Sequence, residues 1–494
     1  MSGAGDALSF DVLVLGSGPA GQKAAVQAVK AGRRVALVEQ EAGVGGMCVH
    51  RGTIPSKTLR ETALHLSRLR RSAALLDISL EPSKGSKPPA TGCGGGPASA
   101  QRAFTIKPDL EVAALTTRLD EVVKAHVAYM SRQMERNGIR VFHGRARFIT
   151  DRLVEVQSVD GSLRRIESAA IFIATGSRPR TPPEIGIDHE NILDSDSILS
   201  MLYLPASLTV LGGGVIACEY ASIFANLGVA VTMIDRADRP LKFIDAELVG
   251  KFVSDFERSG GRFLGERNIS SVEWDGVSKV VTRLGSGEVI ESDKMLVALG
   301  RAAAIEGLAL AAAGLKANAR GLLDVDEHCR TAVPHIYAIG DVIGPPSLAA
   351  TAMEQGRRAA CHALGLAPGS AAEMIPIGIY TIPEMACVGL SEDEARKRFP
   401  GERILVGRGR FEEVARGQIS GEQDGLLKIV ADQTGRKLLG VQIVGEGATE
   451  LIHLGQMALL AGTGVEGFVE NIFNFPTLAE AYRVAALDVL ERSR

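Results

Sequence analysis

At 494 residues, with 46% hydrophobic and 23% charged residues, the chain is too long for one core and has the composition of a globular protein of two to four domains. A net charge of −3 without long Lys/Arg blocks excludes a nucleic-acid surface, and no run approaches the roughly 18 apolar residues of a spanning helix, so neither nucleic acid nor membrane is expected as a partner. Six scattered cysteines (48, 93, 218, 329, 361 and 387) with no paired spacing predict neither a disulfide framework nor a metal site. Met1 to Phe10 has no positive region and no signal-length apolar core, and the setting expected from all this is cytoplasmic.

Along the chain, Asp11-Val12-Leu13-Val14-Leu15 reads as a strand buried on both faces. A helix from about Pro19 to Ala31 and a strand Arg34–Val38 follow, and Pro55 suits the first turn of the next helix. Glu81 to Ala100, rich in Pro, Gly, Ser and Lys, cannot bury a core and reads as a mobile surface insertion carrying Cys93. A long amphipathic helix over roughly Asp109–Asn137 leads to short strands and the run Ala170 to Gly176. A second strand–glycine–helix unit begins at Leu208, about 200 residues after the first. From Met374 the texture shifts to strands, Leu426–Ala431 and Lys437–Val444, with a helical tail, which marks a further domain.

Gly16-Ser17-Gly18-Pro19-Ala20-Gly21 is a G-x-G-x-x-G between strand and helix, where backbone can approach a pyrophosphate and a helix N-terminus offers N–H groups. Glu39 closes the second strand 18 residues beyond Gly21, where a carboxylate can accept from a ribose. Gly212-Gly213-Gly214-Val215-Ile216-Ala217 repeats the pattern with Ala217 at the last small position, and Asp235 again lies 18 residues on. A carboxylate there favours the unphosphorylated ribose of NAD. Arg236 and Arg239 immediately after it either grip a 2′-phosphate, so that one pocket accepts NAD(H) and NADP(H), or are solvated surface residues.

The order of these motifs, with Ala174-Thr175-Gly176 and Thr331-Ala332-Val333-Pro334-His335-Ile336-Tyr337-Ala338-Ile339-Gly340-Asp341, resembles the pyridine nucleotide–disulfide oxidoreductase family over nearly the whole chain. The resemblance implies an α/β fold with two Rossmann-like dinucleotide-binding domains, for FAD and NAD(P), plus a C-terminal α+β interface domain that pairs two chains. The implied boundaries are 1–185 and 303–372 for the two parts of the FAD domain, 186–302 for the NAD(P) domain and 373–494 for dimerisation. FAD would then be held by Gly16, Gly18, Pro19, Ala20, Gly21, Glu39, Gly46, Cys48, Lys57, Ala174, Thr175, Gly176, Gly340 and Asp341. Gly212, Gly214, Ala217, Glu219, Asp235, Arg236 and Gly300 would take the NAD(P) nucleotide. In the family the lysine of Ile-Pro-Ser-Lys lies by the flavin N5 and pairs with a glutamate on the nucleotide-domain helix; those positions are Lys57 and Glu219, the implied catalytic pair, with Cys48 beside the flavin.

Two departures narrow the reading. The family's flavin loop carries two cysteines flanking four residues, but here the second position is Thr53, so the lone Cys48 cannot cycle between dithiol and disulfide. The family's His-Pro-Thr-x-x-Glu reads Phe475-Pro476-Thr477-Leu478-Ala479-Glu480, and Phe475 cannot serve as the acid/base for thiols. Together with the Gly52–Lys57, Cys218–Phe224 and Phe475–Arg483 segments, these departures resemble the soluble, Si-specific pyridine nucleotide transhydrogenases. The resemblance implies reversible hydride transfer from NADPH to NAD⁺ through flavin N5, ping-pong and without a redox disulfide. An NAD(P)H:quinone or dye reductase on the same scaffold, or a flavin- and nucleotide-binding sensor, are the alternatives. Cys48 either tunes the flavin or is a leftover small side chain. His50, Arg51 and His453 have no motif-defined task, and Glu480 has lost its histidine partner.

Overall fold

The computed structural model describes residues 7–75, 108–370 and 374–493. The expected insertion at Glu81 to Ala100, with Cys93, lies outside the described residues.

Strand Leu8–Leu15 sits inside a seven-stranded sheet and buries both faces: Val12 and Val14 pack on one side, Leu13 and Leu15 on the other. Val35–Glu39 and Leu163–Ile173 flank it in parallel, and Arg140–His143 extends the parallel edge. Leu153–Gln157 and Arg145–Phe148 add antiparallel strands. The chain leaves this sheet after Ile173 and returns to it at Ile336–Ala338, parallel to Leu163–Ile173. Between these points it builds a second, all-parallel sheet in the order Arg262–Leu264, Ala230–Ile234, Ser207–Leu211, Lys294–Val297, Ile192–Asp194. In both sheets the strand before the glycine loop has neighbours on each side, so each loop opens at a crevice beyond the carboxyl ends of the strands.

A third sheet is antiparallel: Ile377–Ile379, Met385–Gly389, Leu438–Val444, Leu426–Ala431 and Leu405–Arg410. Helices Ala448–Ala461 and Glu480–Arg492 cover it, joined by the buried Tyr482, whose hydroxyl donates to the Leu451 carbonyl and accepts from the Gly455 N–H. Among the described residues no helix is long and apolar enough to cross a membrane.

Element ends shift where side chains compete for the backbone. The strand expected from Arg34 starts at Val35, because the Arg34 N–H is drawn to the Asp11 carboxylate at 2.8 Å. The strand expected from Lys437 starts at Leu438, because Asp432 gathers the Lys437 N–H into a turn. The long helix spans Pro108–Arg136, and the Asn137 amide caps it through the Gln133 carbonyl.

Two buried cations tie the parts together. Arg60, on the helix Thr53–Leu75 and 1% exposed, reaches the third sheet's leading segment: Nε donates to the Thr381 carbonyl at 3.0 Å, and one terminal nitrogen meets Glu384 at 3.2 Å and Glu446 at 3.3 Å. Lys428, on Leu426–Ala431 and 2% exposed, meets Asp245 at 2.9 Å, Glu247 at 3.1 Å and Glu392 at 2.8 Å. Asp245 caps the helix Ala246–Arg258, so this cluster clamps the second sheet's helix to the third sheet.

Candidate functional site

The helices after the two glycine loops, Pro19–Lys30 and Val215–Leu227, both begin at a glycine and have no side-chain cap. Elsewhere the chain does cap helices: Asp245 accepts from Glu247 N–H, and Ser391 with Glu394 forms a capping box. Bare N-terminal N–H groups at both crevices suit an anion. Gly16, at φ +104°, is pressed against the Ala174 carbonyl, and a Cβ there would collide with it; Gly212, at φ +120°, would place a Cβ 2.6 Å from the Ala298 carbonyl. By contrast, a Cβ on Gly18, Gly176, Gly214 or Gly300 would meet nothing within 4 Å. The first pair shapes the turns; the others leave open space for a ligand.

In the first crevice, Glu39 is 4% exposed and accepts from Ser17 N–H at 2.9 Å, Ser17 Oγ at 2.5 Å and Glu41 N–H at 2.9 Å. It braces the glycine loop, and a carboxylate's remaining lone-pair capacity is what a ribose could use. Ser17 Oγ accepts from Gly45 N–H at 2.9 Å, which draws in the Gly46 turn. Ala174 to Gly176 run past Gly16, and the buried Thr175 hydroxyl has no partner among the described residues. Gly340 N–H donates to Gln355 Oε1 at 2.9 Å, and a Cβ on Gly340 would come 3.3 Å from that of Ala20. Beside it Asp341 accepts from Ser177 Oγ at 2.6 Å, and Ser177 in turn accepts from Arg301 Nε at 2.8 Å. An orphaned buried hydroxyl, open glycine positions and a bare helix end fit a bound dinucleotide.

In the second crevice, Ala217 is fully buried. Asp235 Oδ1 accepts from Ala237 N–H at 2.7 Å, and its other oxygen faces Gly213. Arg239 does not join the site. Its guanidinium donates to the carbonyls of Ile244 at 3.0 Å, Lys242 at 3.3 Å and Leu241 at 3.5 Å, and so holds the following turn. Arg236 is exposed beside Asp235.

Lys57 and Glu219 meet across the two folds, Nζ to Oε2 at 2.7 Å. Glu219 is 5% exposed, and its second oxygen accepts the Tyr380 N–H at 2.9 Å. The Lys57 ammonium also lies 4.9 Å from the centre of the Tyr380 ring. Cys48 is half-buried on the short helix Gly46–His50 with Thr53 near its thiol, so a threonine stands where a second sulfur would be needed. Burial pushes the Cys48 thiol up, against the pull of Thr53 and of the Lys57 charge, so it stays protonated at neutral pH. His50 Nε2 contacts the Gly43 carbonyl at 3.1 Å and Arg51 lies 3.9 Å from Glu41; both shape the loop.

The pattern described as "Pyridine nucleotide-disulphide oxidoreductase" matches residues 10–356, and its dimerisation domain matches residues 375–486. The chain belongs to this family. It is 40% identical over 490 residues to a soluble pyridine nucleotide transhydrogenase of Mycobacterium tuberculosis, covering 98% of each chain. A protein of the same name from Pseudomonas syringae pv. tomato is 39% identical, over 98% of this chain and 99% of that one. Among solved structures, the HOCl-induced flavoprotein disulfide reductase RclA from Escherichia coli superposes with a TM-score of 0.82 at 26% identity, covering 97% of this chain and 99% of that one. LpdA from Mycobacterium tuberculosis gives 0.83 at 26% identity, with the same coverage.

At the position of the family's expected histidine, Phe475 is 69% exposed, with Ile472 at 91% nearby in sequence. Leu454, Met457 and Leu460 are also exposed on the helix Ala448–Ala461, where His453 is exposed and pairs with Gln456. Glu480 now accepts the Thr477 N–H at 3.2 Å, which shapes the turn before its helix. The sequence motifs did not reveal Tyr380, Ser177 or Arg301. Tyr380 carried one usable signal, an aromatic opening the interface segment Tyr380-Thr381-Ile382-Pro383-Glu384.

Proposed function

We propose that the chain is an FAD-dependent soluble transhydrogenase that moves hydride reversibly between NADPH and NAD⁺, the two nucleotides using one site in turn. The observation that carries this reading is the threonine at position 53, which leaves Cys48 and the flavin loop without a dithiol. The names of the Mycobacterium and Pseudomonas relatives support it. When bound, FAD supplies a two-electron acceptor and donor; the protein supplies position and charge.

The first glycine loop, Glu39, the Ala174–Gly176 turn and Gly340–Asp341 hold FAD, with the Arg301–Ser177 pair orienting the Asp341 carboxylate. Lys57, fixed by Glu219, would supply a cation able to stabilise negative charge on bound FAD. Gly212, Gly214, Ala217 and Gly300 cradle the nicotinamide nucleotide, Asp235 takes its ribose, and Arg236 receives a 2′-phosphate. The segments follow the boundaries 1–185 with 303–372, 186–302 and 373–494. The last pairs two chains through its exposed apolar helix and Phe475, in a cytoplasmic homodimer.

Anaerobic titration with NADPH is expected to deliver two electrons per flavin; uptake of four would require a dithiol and overturn the reading. Initial rates with NADPH and an NAD⁺ analogue should give parallel lines. Turnover of quinones without turnover of the NAD⁺ analogue would instead identify a quinone reductase. For the nucleotide site, Arg236→Ala should raise KM for NADPH about tenfold with NADH unchanged, whereas Arg239→Ala should lower Tm and affect both nucleotides alike.

A further inference from the structure

The Lys57–Glu219 pair is completed by a third element that belongs to neither nucleotide fold. Tyr380 follows the edge strand Ile377–Ile379 of the antiparallel sheet and touches both members of the pair. Its N–H donates to Glu219 Oε1 at 2.9 Å, while Lys57 takes Oε2 at 2.7 Å, so both oxygens of a buried carboxylate are used. Its ring lies under the Lys57 ammonium, 4.9 Å from the centroid, within the range where a ring face attracts a cation. Among the described residues the only other polar contact of that ammonium is Ser56 Oγ at a long 3.4 Å.

The ring is itself anchored. Thr449 lies beside the Tyr380 phenol and donates its hydroxyl to Glu384 at 2.9 Å, and Glu384 grips Arg60 at 3.2 Å. Arg60 stands three residues after Lys57 on the same helix, and its Nε holds the Thr381 carbonyl. Two residues on from Tyr380, Ile382 N–H donates to Ser222 Oγ on the Glu219 helix. Segment 380–384 is therefore bound to both helices that bear the pair. The ring restricts the freedom of the lysine side chain without adding a second anion, which would leave the pair net negative.

We propose that Tyr380 is a positioning residue for hydride transfer, its ring face and main-chain N–H fixing the Lys57 ammonium against Glu219. This rests on the reading that Lys57 serves the flavin, and the tests separate the two. The first measurement is the rate of flavin bleaching by NADPH in anaerobic stopped flow, on holoenzyme. Tyr380→Leu is expected to slow bleaching about three- to thirtyfold, the range of a cation–ring contact, while Tyr380→Phe, which keeps the ring, stays within about twofold. In a Lys57→Met background, Tyr380→Leu should add nothing.

The second measurement is the rate of Lys57 acetylation read by mass spectrometry. Tyr380→Leu should raise it severalfold relative to the other lysines, and Tyr380→Phe should not. An unchanged acetylation rate in Tyr380→Leu, or equal slowing of bleaching with and without Lys57, overturns the proposal. If Lys57→Met bleaches at the wild-type rate, the flavin role of Lys57 fails, and acetylation alone decides the positioning claim. Should Tyr380→Leu lose flavin or fold poorly, Tyr380→Met, closer in length and flexible, takes its place under the same criteria.

Discussion

Lys57 and Lys428 are both lysines at joints where a nucleotide fold meets other parts of the molecule, yet they are built for opposite ends. Lys428 is almost wholly buried and meets three carboxylates, Asp245, Glu247 and Glu392. All its donors are consumed, and Arg408, at 2.7 Å from Glu247, balances the excess acid. Lys57 keeps a quarter of its side chain exposed and has one carboxylate, one long contact to a serine and an aromatic face. A saturated cation holds two bodies together; an unsaturated one retains charge to offer a ligand. The difference is set by the number of acids around each amine, not by the lysine.

Removing each cation should therefore break different things. Lys428→Met leaves three carboxylates facing each other without their cation, and a loss of about 3–5 kcal/mol is expected, read by urea unfolding; kcat of the folded fraction should hold. Lys57→Met leaves one carboxylate, Glu219, without its cation, so it should cost less stability than Lys428→Met, while flavin reduction slows about 10²–10³-fold, as for loss of one electrostatic donor. If Lys57→Met mainly unfolds the protein, the comparison fails.

The Lys428 joint also makes an acid prediction. The Arg408 guanidinium, and then Lys428, hold Glu247 down to about 2, from an ordinary value of 4.5. A carboxylate with a depressed folded-state pKa stabilises the fold above its unfolded value and loses that contribution as pH falls toward the folded one. Wild-type Tm should fall more steeply than that of Glu247→Gln between about pH 4.5 and about pH 2; equal slopes would place the acid sensitivity elsewhere. The smallest effect is expected at the neighbour of Lys57. Cys48→Ser should leave turnover within about threefold, because a lone thiol that burial keeps protonated takes no part in electron storage.

Legibility in the sequence followed contact range. Gly16 to Gly21 and Glu39 lie within one strand–helix–strand unit, so their spacing alone placed them at one crevice, and the structure puts Glu39 directly on Ser17. Asp235 was equally legible, but Arg239 was not. Its commitment to three main-chain carbonyls depends on how residues 241–244 turn, and nothing in its neighbours' identity announces that. The Lys57–Glu219 contact spans 162 positions and was reachable only through the resemblance; Tyr380, a further 161 away, lay outside every motif used.

By itself, the order of residues gave the two glycine loops between strand and helix, the apolar run Asp11–Leu15 that is buried on both faces from Val12, and the absence of a second thiol at Thr53. Those are properties of neighbours within a few tens of residues, where backbone geometry leaves few options. Which acid meets which base was decided only when three sheets came together. Burial makes an unpaired charge costly, so the pairing of Lys57, Arg60 and Lys428 depends on partners that packing, not proximity along the chain, delivers.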